Sequence, residues 1–561
     1  MQINNVGLMG NPLRVMSGLD TVYGYDIAAN DFLNALMKWG SFKTLDMFYE
    51  PNQYQLYAMQ RKYRSASKTN SNLEFKSISE YDIIYNKTDV DIDIMHNIGM
   101  EFMPQVFYRE CCSKRSFPFT YTIHGASYPY YIDRFYLMKL LMPFRKYDSL
   151  ICTSSAVKIA VENTMDRIKD SLERNRGIKL DYNGRFDIIP LGIDVDIFEP
   201  GDKNAVKEEF DIPKDSFVIL WVGRFSSYDK ADLFPLIVMF KRLMESNKDR
   251  DIRFIFAGHD RRDMPLLPKM KEFISELGLD NSIIIVENNN VLERNKLFQL
   301  SDVFVSPADN IQETFGITPI EAMACGVPQV VSDWDGYKDT VEEEVTGFKI
   351  PVYWTKCDED LCESALLPTD PMHRSAFHHL LLAKSVAVDI DKYQAAIQRL
   401  IDNPALCKKL SENSVKRAKE KYAWKVIIKQ YEELWQELIS MQKATNDVKH
   451  NEMLDFLIPS YCDSFNSYPT KYIDDFQEVK LTEEGERYIR GEWPEPIHYD
   501  IETILKERDI LKSILNIAYM RKTKTMKLND GIALLGNQYN VSTIRRAFMN
   551  LMKNGFIRLV E

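Results

Sequence analysis

Residues 301–328 read Ser301-Asp302-Val303-Phe304-Val305-Ser306-Pro307-Ala308-Asp309-Asn310-Ile311-Gln312-Glu313-Thr314-Phe315-Gly316-Ile317-Thr318-Pro319-Ile320-Glu321-Ala322-Met323-Ala324-Cys325-Gly326-Val327-Pro328. A short apolar run, Val303–Ser306, reads as a buried strand that ends in a loop. A helix start follows. Thr318 suits the N-cap, Pro319 the first helical position, and Glu321 completes a Thr-x-x-Glu capping box. Gly326 is placed to end the helix, and Pro328 prevents its continuation. Phe315-Gly316-Ile317 would turn backbone N–H groups toward the helix entrance. Unsatisfied N–H groups and the positive dipole end coincide there and attract an anion. Glu313 and Glu321 flank that entrance, eight positions apart. A phosphate site between two carboxylates that can bind hydroxyls describes a sugar-nucleotide pocket. The bland alternative is that Glu321 merely caps its helix and Glu313 is a solvated loop residue.

Outward from this stretch, short apolar runs alternate with longer helical patterns, as in a parallel sheet with crossovers. Strands are expected at Asn5–Met9, Thr44–Phe48, Asp82–Tyr85, Ile92–Met95, Phe119–Ile123, Ser149–Thr153 and Asp187–Pro190. A second set is expected at Phe217–Val222, Ile252–Ala257, Ser282–Val286, Val303–Ser306, Gln329–Ser332 and Gly347–Ile350. Two such halves facing a cleft bind ligands beyond the carboxyl ends of their strands. Residues 352–385 interrupt the pattern and read as an inserted loop. Helical patterns then run from about Asp391 to Met441.

Several segments resemble the retaining glycosyltransferases of family 4, which have the GT-B fold. The Glu-x7-Glu stretch is similar to that family's donor-site motif. Pro190-Leu191-Gly192-Ile193-Asp194-Val195-Asp196-Ile197-Phe198-Glu199-Pro200 looks like its entry to the C-terminal domain. Val222-Gly223-Arg224-Phe225 with Lys230, and Phe256-Ala257-Gly258, look like its first-strand loop and third-strand signature. The resemblance covers about residues 1–440 and is strong from 186 to 347. It implies an N-terminal acceptor domain, 1–198, and a C-terminal donor domain, 199–420, both Rossmann-like. A helix at 421–442 would cross back to brace the first domain.

The resemblance also implies roles. A nucleoside diphosphate leaves the anomeric carbon, so negative charge grows on the phosphates and fixed positive groups are needed there. Arg224, after the Gly223 turn, would grip the diphosphate bidentately, and Lys230 would act as a point charge. Glu321 would bind the nucleotide ribose, and Glu313 the transferred sugar. The N–H groups of Phe315, Gly316 and Ile317, with Thr318, would hold sugar and distal phosphate. Backbone near Glu287–Leu292, including Val291 and Leu292, would meet the base. His124, at the end of Phe119–Ile123, resembles the family's strand-end histidine near the reacting sugar; a core histidine satisfied by backbone is the alternative. His96 ends Ile92–Met95 in similar fashion and is the second candidate. Gly24, in Tyr23-Gly24-Tyr25, falls where the family has a glycine loop beside the phosphate. This chain lacks the usual paired glycines, and it has Lys230-Ala231 for the family's Lys-Gly.

Cations and a helix terminus can replace magnesium, so no metal and no cofactor beyond the donor substrate is expected. Asp89-Val90-Asp91-Ile92-Asp93 only superficially suggests a metal motif. Cys357, Cys362 and His373 fit no zinc spacing well. The chain has 561 residues, 45% hydrophobic and 27% charged, as in a globular protein. No apolar run approaches the roughly 20 residues that span a bilayer. The start lacks a basic region followed by an apolar stretch, and eight scattered cysteines suit a reducing compartment, so a cytoplasmic location is expected. A net charge of −11 argues against a surface that coats nucleic acid.

Residues 443–500 read as a connector. The tail, 501–561, carries eleven Lys/Arg against five Asp/Glu. Helices at Leu528–Leu535 and from Ser542, then a strand at Phe556–Val560, resemble a winged-helix module; a dimerisation or docking domain is the alternative. The expected activity is metal-independent, retaining transfer of a sugar from a nucleoside-diphosphate sugar to an acceptor hydroxyl. The tail would recruit a macromolecular acceptor (peptide, protein or DNA) or form a homo-oligomer. A glucan synthase-like enzyme is the neighbouring alternative. A non-catalytic nucleic-acid-binding protein conflicts with intact Arg224, Lys230, Glu313 and Glu321.

Overall fold

The computed structural model describes residues 3–12, 24–48, 61, 73–79, 83, 89–99, 103–127, 135–261, 264–287, 290–364, 371–445, 460–496 and 507–560. The chain divides into two compact units. One is Met1–Ser77 with Asp91–His450, and the other is Ile78–Val90 with Asn451–Glu561.

The larger unit holds two sheets. The first comprises β1 (Asn5–Met9), β2 (Thr44–Phe48), β3 (Glu74–Ile78), β4 (Ile94–Asn97), β5 (Phe119–Ile123), β6 (Ser149–Cys152) and β7 (Arg185–Ile188), in the order β3-β2-β1-β4-β5-β6-β7. The second comprises β8 (Phe217–Val222), β9 (Ile252–Gly258), β10 (Ile283–Glu287), β11 (Val303–Ser306), β12 (Gln329–Ser332) and β13 (Gly347–Ile350), in the order β10-β9-β8-β11-β12-β13. All pairings in the second sheet are parallel. Both orders are the doubly wound one. The strand order reverses between β1 and β4 in one sheet and between β8 and β11 in the other, and ligands bind in the crevice at such points.

The second sheet shows why its strands are continuous apolar runs. Along β8, Ile219 and Trp221 enter one buried cluster, while Val218, Leu220 and Val222 enter another on the opposite face. Period-2 alternation with both faces covered requires apolar residues throughout. In the first sheet, Val6, Leu8 and Ile94 pack with Phe32, Leu33 and Leu36 of the helix Gly24–Trp39. The helix Trp424–Lys443 adds Trp424, Ile427, Tyr431, Trp435 and Leu438 to the same core. Its approach is pinned by paired backbone bonds, Ile193 N–H to Tyr422 O at 2.8 Å and Trp424 N–H to Ile193 O at 3.1 Å.

Some expectations need correction. The strand expected at Ile92–Met95 is β4, Ile94–Asn97, so His96 lies inside the strand rather than at its end. The strand expected at Asp187–Pro190 is β7, Arg185–Ile188. The strand expected at Asp82–Tyr85 falls outside the described residues except for Ile83. Within the stretch read as an inserted loop lie β14 (Val352–Trp354) and the helices Glu359–Ser364 and Pro371–Ala383; β14 pairs antiparallel with β15 (Val386–Val388).

The smaller unit has its own core and a three-stranded antiparallel sheet. β16 (Glu478–Leu481) lies at its centre, between β17 (Thr525–Lys527) and β18 (Ile557–Leu559). Residues 478–489 were expected in a connector but supply β16 and the helix Glu483–Ile489 to this unit. The helices Glu507–Tyr519, Leu528–Leu535 and Val541–Lys553 complete it. Asn540, not Ser542, caps the last: its side chain accepts the Ser542 N–H at 3.0 Å.

Candidate active site

The site is built on the loops that leave β8 and β11 at the crevice of the second sheet. Gly223 follows β8 and donates its N–H to Ala257 O at 3.0 Å. The chain then presents Arg224, Asp229 and Lys230. After β11, Asn310 shapes the second loop. Its Oδ1 accepts the N–H groups of Gln312 and Glu313 at 3.0 and 3.2 Å, and its Nδ2 donates to Lys230 O at 2.5 Å. One asparagine therefore ties the two loops together and sets Glu313 opposite Lys230. Lys230 Nζ donates to Glu313 Oε2 at 3.0 Å.

The helix after this loop starts earlier than the capping box required. It spans Ile317–Ala324, and its N-cap is Gly316 with φ +87°. Thr318 is inside the helix, and Glu321 makes no cap. The left-handed φ is open to glycine without the penalty a Cβ would impose, and a Cβ at Gly316 would collide with the Tyr337 ring. The helix does end as expected: Gly326 has φ +75° just past its C-cap, Cys325.

With no cap to serve, Glu321 points elsewhere. It is 3% exposed and accepts from Arg294 Nη2 at 2.7 Å. Burial pushes its carboxyl above the ordinary range; Arg294 opposes this and Asp31 adds to it. Glu313 behaves in the opposite way. Burial resists its ionisation, but the Lys230 ammonium and the N–H groups of Phe315 and Thr314 outweigh burial and hold its carboxyl below the ordinary value. Glu313 Oε1 accepts the N–H groups of Thr314, Phe315 and Gly316 at 3.2, 3.4 and 3.1 Å. The N–H groups of Phe315 and Gly316, expected to face the ligand, are thus engaged by Glu313.

More acids lie on and beside these loops. Asp335 is pushed well above the usual carboxylate range by burial and by Glu313. Asp309, which accepts the Asp232 N–H at 3.1 Å, is pushed up to about 8 by burial. Arg224 Nη2 lies 3.2 Å from Asp229 Oδ2, and Arg261 Nη1 lies 4.0 Å from the same oxygen. Around these loops, Ser226 Oγ, Asp229 Oδ1, Asp309 Oδ1, Gln312 Oε1, Asp335 Oδ2, Glu321 Oε2 and Arg294 Nε are buried without an intramolecular partner. Buried polar groups are ordinarily satisfied, so a cluster of orphans marks a place built for a polar ligand.

The first domain meets this site directly. Ser154 Oγ and Thr153 Oγ1 donate to Thr314 O at 2.8 and 3.1 Å, and Thr314 Oγ1 donates to His124 O at 3.3 Å. His124 therefore follows β5 beside the Glu313 loop, with its ring 6.2 Å from that of Tyr25. Burial pushes its imidazole down to about 4, which keeps it neutral near pH 7. His96 does not reach the site. It is fully buried, 2.8 Å from Thr120 Oγ1, among Phe32, Tyr431 and Trp435.

Other expected residues are placed differently. Gly24 begins the Gly24–Trp39 helix, and a Cβ there would meet nothing within 4 Å among the described residues. Residues 13–23 lie outside the described residues. Val291 and Leu292 open the helix Val291–Leu300, and Leu292 is 68% exposed. The Leu292 N–H is taken by Asn290 Oδ1 at 2.9 Å, part of a capping box with Glu293, so it is not offered to a base. Of the suspected metal motif, Asp93 Oδ2 accepts the N–H groups of Asn4 and Asn5 at 2.8 and 3.1 Å, and Asp91 pairs with Arg115. Cys362 and His373 have side chains outside the described residues.

Arg294, Asp229, Arg261, Asn310, Asp309 and Asp335 escaped the sequence reading. Asn310 carried a signal, an Asn-x-Gln-Glu loop suited to an Asx turn. Arg294 lies 27 positions from Glu321, and no local pattern joins them.

Parts of the chain are similar to known proteins. Residues 202–361 match the family model described as Glycosyl transferases group 1. The D-inositol 3-phosphate glycosyltransferase of Streptosporangium roseum is 25% identical over 206 residues, 36% of this chain and 45% of that protein. The enzyme of the same name from Mycobacteroides abscessus is 27% identical over 172 residues, 31% of this chain and 37% of that protein. The match thus spans less than half of either relative's length. Among solved structures, a sucrose-phosphate synthase from Thermosynechococcus elongatus aligns with a TM-score of 0.49 at 17% identity, over 78% of this chain and all of that one.

Proposed function

We propose that this chain is a retaining glycosyltransferase that moves a sugar from a nucleoside-diphosphate sugar to an acceptor hydroxyl without a metal. The observation that carries the reading is the pair of acid–base contacts at one helix entrance, Lys230 with Glu313 and Arg294 with Glu321. They sit at the switch point of the second sheet, inside the segment that matches the glycosyl transferases group 1 model.

Lys230 and Arg224 supply the positive charge a leaving diphosphate needs, and the helix entrance adds its dipole. Glu313 is a binder of sugar hydroxyls rather than a nucleophile, because Lys230 and three N–H groups already engage its charge. That favours substitution from the same face, with the departing phosphate taking the acceptor's proton. Neutral His124 can accept a hydrogen bond from a sugar or acceptor hydroxyl. The smaller unit, with its own core and basic tail, recruits the acceptor or a second subunit.

A thermal-shift screen of nucleotide sugars tests the reading. A true donor at 100 times its dissociation constant stabilises the protein by about 2.7 kcal/mol. A screen in which no nucleotide sugar shifts the transition would refute it.

A further inference from the structure

The ion pair between Arg294 and Glu321 has a use that the charges alone do not explain. Arg294 Nη2 donates to Glu321 Oε1 at 2.7 Å. The other oxygen of that carboxylate, Oε2, and the Nε of that guanidinium are both buried without an intramolecular partner. A pair formed only for stability would close on itself, with two parallel bonds between fork and carboxylate. This one is held by a single bond and leaves an acceptor and a donor unsatisfied. Both partners are held from behind. Arg294 projects from the helix Val291–Leu300, whose start is fixed by the Asn290–Glu293 capping box, and its guanidinium lies 5.6 Å from the Phe198 ring centroid. Glu321 stands in the helix that Gly316 opens.

We propose that Arg294 is a donor-binding residue that both fixes Glu321 and contacts the ligand itself, so that the pair recognises a vicinal diol such as that of a ribonucleoside. One hydroxyl donates to Glu321 Oε2, and the Arg294 Nε–H donates to the neighbouring oxygen. A lysine supplies the charge but not the planar fork that holds a second donor in a fixed direction. The inference rests on the donor-site reading above and adds the residue that makes Glu321 a diol acceptor.

The electrostatics agree. Burial and Asp31 of the Gly24–Trp39 helix favour the protonated form of Glu321, and Arg294 opposes both. Cys325, on the same helix as its C-cap, has its thiol pushed well up by burial, Glu321 and Glu199, and stays neutral. Without Arg294, Glu321 holds its proton to higher pH and loses its charge as a diol acceptor.

The test compares the tightest binder among UDP, GDP and ADP with its dideoxy analogue, by calorimetry on the full chain. Arg294→Met should weaken the ribonucleotide at least about tenfold and leave the dideoxy analogue within about twofold. The loss should be larger at about pH 6 than at about pH 8, the direction set by a carboxylate that has lost its cation. Arg294→Lys should restore the pH profile but not the full preference for the diol, and it serves as the readout if the methionine variant fails to fold. Equal losses for both nucleotides, or no loss, would overturn the inference. Glu321→Gln separates the layers. If it discriminates the two nucleotides and Arg294→Met does not, only the role of Arg294 falls. If it affects neither, or if no nucleoside diphosphate binds the unaltered chain, the donor-site reading falls with it.

Discussion

Lys230 Nζ stands 3.0 Å from Glu313 Oε2, while the other oxygen of the same carboxylate takes three backbone N–H groups of the loop before the helix. The group that would touch the phosphates and the group that would touch the sugar are thus coupled to each other. Lys230→Ala should lower turnover by about 10²–10³-fold, the usual cost of one lost charge-stabilising donor. It should also destabilise the fold by leaving Glu313 without its counter-charge. Glu313→Gln in the same chain should recover part of that stability, with a coupling of about 1 kcal/mol or more in urea unfolding. Strict additivity of the single variants would show that the pair does not act as a unit.

Gly316→Ala tests the helix entrance. The left-handed backbone at φ +87° and the adjacent Tyr337 ring both exclude a Cβ. The variant should lose nucleotide affinity by tenfold or more, with a cost of about 1–3 kcal/mol in stability. Unchanged affinity and unfolding midpoint would mean that the entrance geometry is not needed.

The acid limb of stability should report His96. Burial pushes its imidazole from 6.5 down to about 3. Below about pH 6.5 the unfolded chain takes a proton that the folded chain refuses, so stability falls as pH falls toward about 3, by up to about 1.4 kcal/mol per pH unit. His96→Leu should flatten that slope in urea unfolding. Thr120 keeps a partner in that variant, because Trp435 Nε1 donates to it at 3.1 Å. An unchanged slope would assign the acid sensitivity to other groups.

The smaller unit bears on recognition. If its partner were DNA, Arg545 and Arg546 on the last helix should matter most; Asp475 holds Arg545 through Nε at 3.1 Å and Nη2 at 2.6 Å. The pair is largely exposed, so Arg545→Ala and Asp475→Ala should each cost less than about 1 kcal/mol in stability. Both should leave binding to a DNA duplex unchanged at low salt. A steep loss of DNA affinity in Arg545→Ala would restore the nucleic-acid reading.

Legibility in the sequence followed burial. Phe217–Val222, Val303–Ser306, Gln329–Ser332 and Gly347–Ile350 occur with the bounds their apolar runs suggest, because parallel strands covered on both faces need such runs. β3, Glu-Phe-Lys-Ser-Ile, was missed because an edge strand with charged residues has no such run. Lys230, Glu313 and Glu321 stood out through their motifs, and the structure brings Lys230 to Glu313 and places Glu321 on the helix that follows. Thr318 misled because local capping preference yielded to a glycine two residues earlier that can take positive φ. Arg294, Asp229 and Arg261 were not legible, since their roles arise only when distant loops meet.

The most direct measurement is a calorimetric titration of UDP-, GDP- and ADP-sugars in the presence of a chelator, into the unaltered chain, Lys230→Ala, Glu321→Ala and Glu313→Ala. The account predicts that one donor binds without metal and that Lys230→Ala and Glu321→Ala weaken it. Glu313→Ala should weaken the sugar-bearing donor more than the bare nucleoside diphosphate. Binding that requires magnesium or manganese, or that survives all three substitutions, would contradict it.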